Sequence, residues 1–354
     1  MRLIARRVSW GGASLRMLVT MIRNPHTPEY WLLVLALGLT GQLSPVANAQ
    51  RRVPGSGTRL DAVGDNFEDE TWRYVFNLPK STIDLDQNSR TPTGIAANDR
   101  WYEGVKRGQP DTVRRVPTPA GGLSGSHGSL LLQSCQTGIP GHPSYQMQQD
   151  DFIADVHERL DGWIPVAREP SAVVRVFLPR TREWENRTGP HFAFRVAVTH
   201  SVQSTALFGL GSRKKAETFW PGMFIDFESK TDGTKTRDYA QLRLRADADG
   251  DDFLGIHIPT TGWWTLGISC TRDGQIHYYA RPGVEPLTAR DHLASSYSYG
   301  YQAEHFKTFF FNVCSGDDGH TWSTPWIIDD PSVFALSGNR ARTARRNAPR
   351  AARP

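Results

Sequence analysis

Apolar and polar residues alternate over short stretches through most of this chain, the period of two that marks a strand with one buried face. In PHFAFRVAVTH (residues 190–200), Phe192, Phe194, Val196 and Val198 share one side, while His191 and Arg195 share the other. In YAQLRLRA (residues 239–246), Ala240, Leu242, Leu244 and Ala246 oppose Tyr239, Gln241, Arg243 and Arg245. Runs rich in Val, Ile, Phe, Tyr and Trp predict further strands over 129–133, 172–178, 223–228, 253–258, 264–270, 276–281, 307–313 and 326–328. Gly, Pro, Asp and Asn turns separate them, and little of the chain has a 3.6-residue period; residues 150–160 read as the one short helix. This pattern predicts an all-β fold, a two-sheet antiparallel sandwich. No internal repeat is visible, which disfavours propellers and solenoids. Residues 262–283 (GWWTLGISCTRDGQIHYYARPG) read as a hairpin turning at Arg272-Asp273-Gly274, where Gly supplies the positive φ of a tight turn.

The N-terminus follows a different rule. A nine-residue apolar run, Trp31–Leu39, leads through TGQLSPV to Ala47-Asn48-Ala49, the apolar segment and small-x-small cleavage site of a secretory signal. A membrane span needs about 20 apolar residues, and Thr40, Gln42, Ser44 and Pro45 interrupt this one. Residues 1–49 are therefore expected to be a signal peptide, cleaved before Gln50, with no transmembrane anchor left behind. Translation from Met21 would give a 29-residue signal of ordinary size. Residues 50–60 read as a polar linker, 61–334 as the sandwich domain, and 335–354 as a disordered Arg-rich tail. The expected location is secreted, periplasmic or cell-envelope-associated.

Charge changes meaning once it is placed along the chain. The 354 residues carry 41 basic and 36 acidic groups, a net +5, with 38% hydrophobic content, enough for a full-sized core. Residues 1–49 hold five Arg and one Glu, and residues 336–354 six Arg and no acid. The intervening 30 basic and 35 acidic groups leave the body at −5, so no specific nucleic-acid partner is implied. Only Cys135, Cys270 and Cys314 occur, with no CxxC spacing. Zinc and thioredoxin-like sites are not supported. In an oxidising compartment one disulfide could form in three pairings, or all three thiols could stay separate and buried.

Three stretches carry a resemblance. DNFEDETW (residues 65–72), GWWTLGIS…DGQIHYYARPG (262–283) and FFFNV…WIIDDPSVF (309–334) are similar to the first strand, central hairpin and last strand of concanavalin A-like lectin/glucanase jelly rolls, a group that includes laminin-G-like modules. The resemblance implies two curved antiparallel sheets with any glycan site on the concave face or rim loops. It implies a fold more than an activity.

The catalytic motifs of that group are incomplete in this chain. Retaining glucanases place two carboxylates on one strand face as E-x-D-x-x-E; no Glu here has that spacing, and Glu68-Asp69-Glu70 reads as structural. Alginate-lyase-like members carry Q-I-H and a late Y-F-K-A-G-x-Y-N-Q strand, beside which Gln275-Ile276-His277 and His305–Asn312 can be set. Phe311 replaces the proton-transferring tyrosine, Val313 the last Gln, and only about 30 residues separate the motifs. The polar phase is more informative. Arg175, Arg195, Asp226, Glu228, Gln241, Arg243, Arg245, His277 and Arg281 all lie out of step with the aliphatic positions of their strands. Were those strands neighbours, they would form a charged face able to grip glycan hydroxyls, carboxylates or sulfates. Trp220, in ETFWPG, and Trp263, one residue out of phase with Trp264, are candidates for stacking on sugar rings. The crowded oxygens of Asp247, Asp249 and Asp251, and separately Asp330 beside Asp329, are candidates for a structural calcium, and no other cofactor is implied. The expectation is an exported protein that binds carbohydrate or cell-envelope polymer without a recognisable catalytic motif. A glycoside hydrolase or polysaccharide lyase on the same fold is the first alternative, and a structural surface protein the second.

Overall fold

The computed structural model describes residues 52–87, 93–205, 212–245 and 247–337. The expected signal peptide and all of the tail beyond Ser337 lie outside the described residues. In chain order the strands are β1 (Thr58–Gly64), β2 (Tyr74–Val75), β3 (Ile95–Ala96), β4 (Trp101–Glu103), β5 (Thr112–Pro117), β6 (Gly128–Gln133) and β7 (Gln148–Ala154). They continue with β8 (Ile164–Pro165), β9 (Ser171–Leu178), β10 (Gly189–Thr205), β11 (Ser212–Phe219), β12 (Gly222–Glu228) and β13 (Tyr239–Arg245). The last six are β14 (Asp252–Ile258), β15 (Gly262–Cys270), β16 (Ile276–Pro282), β17 (His292–Ser296), β18 (His305–Ser315) and β19 (Trp326–Ala335).

They form two antiparallel sheets. The 8-stranded sheet runs β17-β16-β15-β9-β19-β6-β5, with β1 added beside β19. The 11-stranded sheet runs β14-β13-β12-β10-β18-β7-β4-β3-β2, with β11 on β10 and β8 on β18. Sequence-distant strands are neighbours in both, as in a jelly-roll sandwich. Each sheet turns one set of alternating side chains inward. Phe192, Phe194 and Val196 of β10 and Phe309, Phe311 and Val313 of β18 join Trp264, Leu266 and Ile268 of β15 and Trp326 and Ile328 of β19 in one core. The Phe192 ring lies 4.9 Å from that of Trp326, tilted by 32°, linking the two layers.

Every strand expected from the alternation is present, most of them extended by a residue or more at one end. The β15–β16 hairpin turns as expected, with Gly274 at φ 81° and its amide donating to Thr271 O. Three assignments change. The segment 150–160 is a helix only at His157–Leu160; Gln148–Ala154 is strand β7. The reason is tertiary: Asp150 is fully buried, and it accepts from Lys80 Nζ at 2.6 Å, Ser134 Oγ at 2.7 Å and the Gly138 amide at 2.9 Å. The stretch read as a linker is drawn onto the 8-stranded sheet: Ser269 Oγ donates to Arg52 O, and β1 starts at Thr58, opposite Ala335. Ala335, counted with the tail, is the buried end of β19.

Candidate functional site

The polar-phase residues do not share one face. Arg195, Asp226, Glu228, Gln241, Arg243 and Arg245 stand on the outer side of the 11-stranded sheet, because they alternate with core residues of β10, β12 and β13. Arg175, Trp263, His277 and Arg281 stand on the 8-stranded sheet, in β9, β15 and β16. The charged face expected from the sequence is thus two faces, divided by the core.

On the larger sheet, strand register aligns the polar residues in rows. Across β18, β10, β12, β13 and β14 one row reads Phe310, Arg195, Gly222, Arg245 and Asp252. The next, starting at β7, reads Asp151, Asn312, Ala193, Phe224, Arg243 and Gly255. A third places Asp226 opposite Gln241 and Gln241 opposite His257. Small residues at Ala193 and Gly222 leave room between the rows. A Cβ on Gly222 would meet Arg195 Cγ at 2.4 Å, so glycine there admits the arginine stem.

Arg195 is the centre of this face. Its Nη2 donates to Trp220 O at 2.8 Å and its Nε at 3.2 Å, while Nη1 reaches Asn312 Oδ1 at 3.5 Å. Asn312 Nδ2 in turn donates to Asp151 Oδ1 at 2.5 Å. The Arg195 guanidinium lies 5.5 Å from the Phe224 ring centre and 5.3 Å from that of Phe310, and Arg245 lies 4.6 Å from Phe224. These cation–π contacts offset part of the cost of drying a charged group. Burial pushes the Asp151 carboxyl up to about 7 against the pull of Arg195 and Arg107.

Toward β13 and β14 the face opens. Arg243 and Arg245 keep about a third of their side-chain surface (34% and 33%), whereas Asp226 beneath them has none. Arg243 Nη2 approaches Asp226 Oδ2 at 2.5 Å, yet neither carboxylate oxygen accepts a well-directed hydrogen bond. Burial lifts Asp226 to about 6, Arg243 opposing and Asp252 and Glu228 adding to the lift. Glu228 accepts from Gln241 Nε2 at 3.0 Å and pairs with Lys235 at 3.4 Å. Beside it Lys235, Arg237, Tyr239 and His257 line an open depression of about 260 Å³. Trp220 stands at the rim with 40% of its surface exposed, its carbonyl fixed by Arg195.

The other sheet's candidates have different surroundings. Trp263 is buried, its indole N–H donating to Pro119 O at 3.2 Å and its ring edge-on to Phe177 at 5.4 Å, so it is packing and not a stacking platform. Arg175 pairs with Asp330 at 2.9 Å and donates to Val284 O. Arg281 donates to Pro286 O at 3.1 Å. His277 is fully buried beside Thr271 and Ser295. Gln275-Ile276-His277 and the late strand His305–Ser315 therefore occupy opposite sheets, and Phe311 faces the core. Phe311, set beside the lyases' proton-transferring tyrosine, is thus a core residue with no access to the face that carries His277.

The carboxylates considered for calcium are differently engaged. Asp247 Oδ1 accepts from the amides of Asp249 and Asp251 at 2.9 and 3.0 Å, an Asx turn. Asp330 lies between Arg59 at 2.7 Å and Arg175 at 2.9 Å. Among the described residues no three His, Cys, Asp or Glu side chains converge as metal ligands. Cys135, Cys270 and Cys314 are unpaired thiols, and burial pushes Cys270 and Cys314 up to about 12.

Alternation missed Asp151, Asn312, Phe224 and Phe310. Asn312 was legible, since it alternates with Phe309, Phe311 and Val313. Asp151 was hidden by the helical reading of its segment, and the two aromatics by the assumption that large apolar residues face inward.

No protein-family model matches this chain, and no curated protein does. Several solved structures are similar in their course. A carbohydrate esterase from the Shiga toxin-encoding bacteriophage phi24B has 13% identity and a TM-score of 0.35, over 73% of this chain and 97% of that one. An alginate lyase from Pseudomonas aeruginosa has 9% identity and a TM-score of 0.33, over 64% and 87%. The carbohydrate recognition domain of Emp46p has 10% identity and a TM-score of 0.34, over 73% and 97%.

Proposed function

We propose that this is an exported glycan-binding protein whose ligand lies across the outer face of the 11-stranded sheet. The observation that carries the reading is the register that brings Arg195, Arg243 and Arg245 into adjacent rows over Phe224, with Trp220 exposed at the edge. Guanidinium forks grip hydroxyl and carboxylate pairs, and an exposed indole stacks on the C–H face of a sugar ring. Charge within the face is balanced by Asp226, Glu228 and Asp252, so selectivity rests on local geometry. Export rests on the signal pattern of residues 31–49. Among the described residues no helix is long and apolar enough to cross a membrane. A glycan array probed with wild-type chain and with the Arg243→Ala/Arg245→Ala variant tests the reading. The expected result is a defined set of ligands that the variant loses; undiminished binding by the variant would move the site elsewhere.

A second reading, a glycoside hydrolase on the same face, is favoured by one feature. Asp226 and Glu228 occupy alternate positions of β12, so both carboxyls point outward from one strand, and Asp226 is lifted to about 6. Hydrolases need such a proton-holding acid beside an ionised partner. Reducing-sugar release from the ligands found on the array, abolished by Glu228→Gln, would establish it.

A further inference from the structure

The outer face of the other sheet holds a hydrogen-bonded chain of a different kind. In the β16–β17 register His277 stands directly opposite Ser295, so the two side chains share a face. His277 Nδ1 lies 2.6 Å from Ser295 Oγ, and its Nε2 lies 2.8 Å from Thr271 Oγ1. Thr271 Oγ1 is 2.6 Å from Asp273 Oδ1.

The end of the chain sets the direction of every proton in it. Although burial pushes the Asp273 carboxyl up, hydrogen bonds from Thr271, the Gln275 amide and Tyr297 outweigh it and hold the group below its ordinary value. An ionised carboxylate only accepts, so the Thr271 hydroxyl donates to it. The Thr271 oxygen then accepts from His277 Nε2–H. That tautomer leaves the lone pair on Nδ1, aimed at the Ser295 hydroxyl. His292 Nε2, 2.8 Å from Ser295 Oγ, donates to the same oxygen and holds it in place. Burial separates the roles: His277 has no exposed surface, whereas Ser295, on the edge strand, is partly open to solvent. A dry base beside a reachable hydroxyl is the arrangement of an activated nucleophile.

We propose that Ser295 and His277 form a nucleophile–base pair that hydrolyses a carboxylic ester, a site separate from the glycan-binding face and independent of that reading. Ser295 Oγ attacks the ester carbonyl carbon as its proton passes to His277 Nδ1. The carbon–oxygen bond to the alcohol then breaks, and the alcohol leaves with that proton, giving an acyl-serine. Water attacks the acyl carbon and gives a proton to Nδ1; the carboxylic acid departs, and the proton returns to Ser295. An ester suits the pair better than an amide, since an alkoxide leaves with less help than an amine. Thr271 and Asp273 are positioning residues, fixing the tautomer and the ring.

The test uses the full chain, a fluorophosphonate probe and p-nitrophenyl acetate. Wild-type protein should be labelled on the peptide that contains Ser295 and should release p-nitrophenolate with a burst equal to the enzyme concentration. Ser295→Ala, at a partly exposed edge position, should stay folded, with a midpoint lowered by loss of the hydroxyl that faces the buried His277 Nδ1, and should abolish both signals. His277→Gln should slow labelling by about 10²–10⁴-fold, the usual range for a general base. Thr271→Val should slow it as well, and Thr271→Ser, which keeps the hydroxyl, should restore it. Intact protein that takes no label, label on another residue, or labelling that persists in Ser295→Ala overturns the proposal. If His277→Gln does not fold, the Ser295→Ala comparison decides alone.

Discussion

Asp226 allows the balance between burial and pairing to be measured. Its carboxyl has no exposed surface, and the cation it pairs with, Arg243, is a third exposed and shared with water. Burial outweighs that pair and moves the carboxyl from 3.8 to about 6. Each tenfold in proton affinity is about 1.4 kcal/mol, so the shift corresponds to about 3 kcal/mol. The sign follows from linkage: a raised folded-state value means that the fold favours the protonated acid. The stability that Asp226 contributes is complete below about pH 4, and is lost as pH rises through about 6. Asp226→Asn removes the ionisation while keeping shape and polarity. Urea denaturation of both proteins at pH 4, 5, 6, 7 and 8 reads the difference, with the midpoint and the m value compared at each pH. The variant should match wild type at pH 4, apart from a constant offset, and gain about 3 kcal/mol on it by pH 8. A difference that does not vary with pH would show that pairing cancels burial, and a variant that loses ground as pH rises that pairing outweighs it; either would refute the reasoning.

Further outcomes follow from single contacts. Gly222→Ala places a Cβ 3.0 Å from Phe194 O as well as against Arg195 Cγ; a loss of ~1–3 kcal/mol is expected from overpacking, read by thermal melting, with weakened glycan binding. Trp220→Ala should reduce glycan binding without moving the melting midpoint, whereas Trp263→Ala should lower the midpoint by several degrees; equal effects on stability would contradict their different burial. Ellman titration without reductant should find three thiols in guanidinium chloride and none at Cys270 or Cys314 in the native protein; a single thiol in denaturant would establish a disulfide that the structure lacks.

The alternating segments reveal how far period-two patterning reaches. In β10 and β13 the sorting of Phe192, Phe194, Leu242 and Leu244 from Arg195, Gln241, Arg243 and Arg245 holds residue by residue, because a strand has only two faces and the core claims one. β11 (SRKKAETF) and β17 (HLASS) lack an apolar alternation: of the described side chains of β11 only Phe219, at its end, enters the core, and every residue of β17 is partly buried. β7 escapes that patterning because its buried carboxylates are tolerable only beside Lys80, Ser134 and Asn312, which are distant in sequence.

What the sequence determined by itself was the all-β class, the strands with a buried stripe, the tight turn at Asp273-Gly274, and which side of each strand is polar. All of these are local, set by neighbours one to four residues away. Which polar sides lie together was decided by tertiary structure alone, because sheet order is not contained in the period of any one strand. The register of β10, β12 and β13 made one face of Arg195, Asp226, Glu228, Gln241, Arg243 and Arg245. The placement of β9, β15 and β16 in the other sheet removed Arg175, Trp263, His277 and Arg281 from it, and set His277 against Ser295.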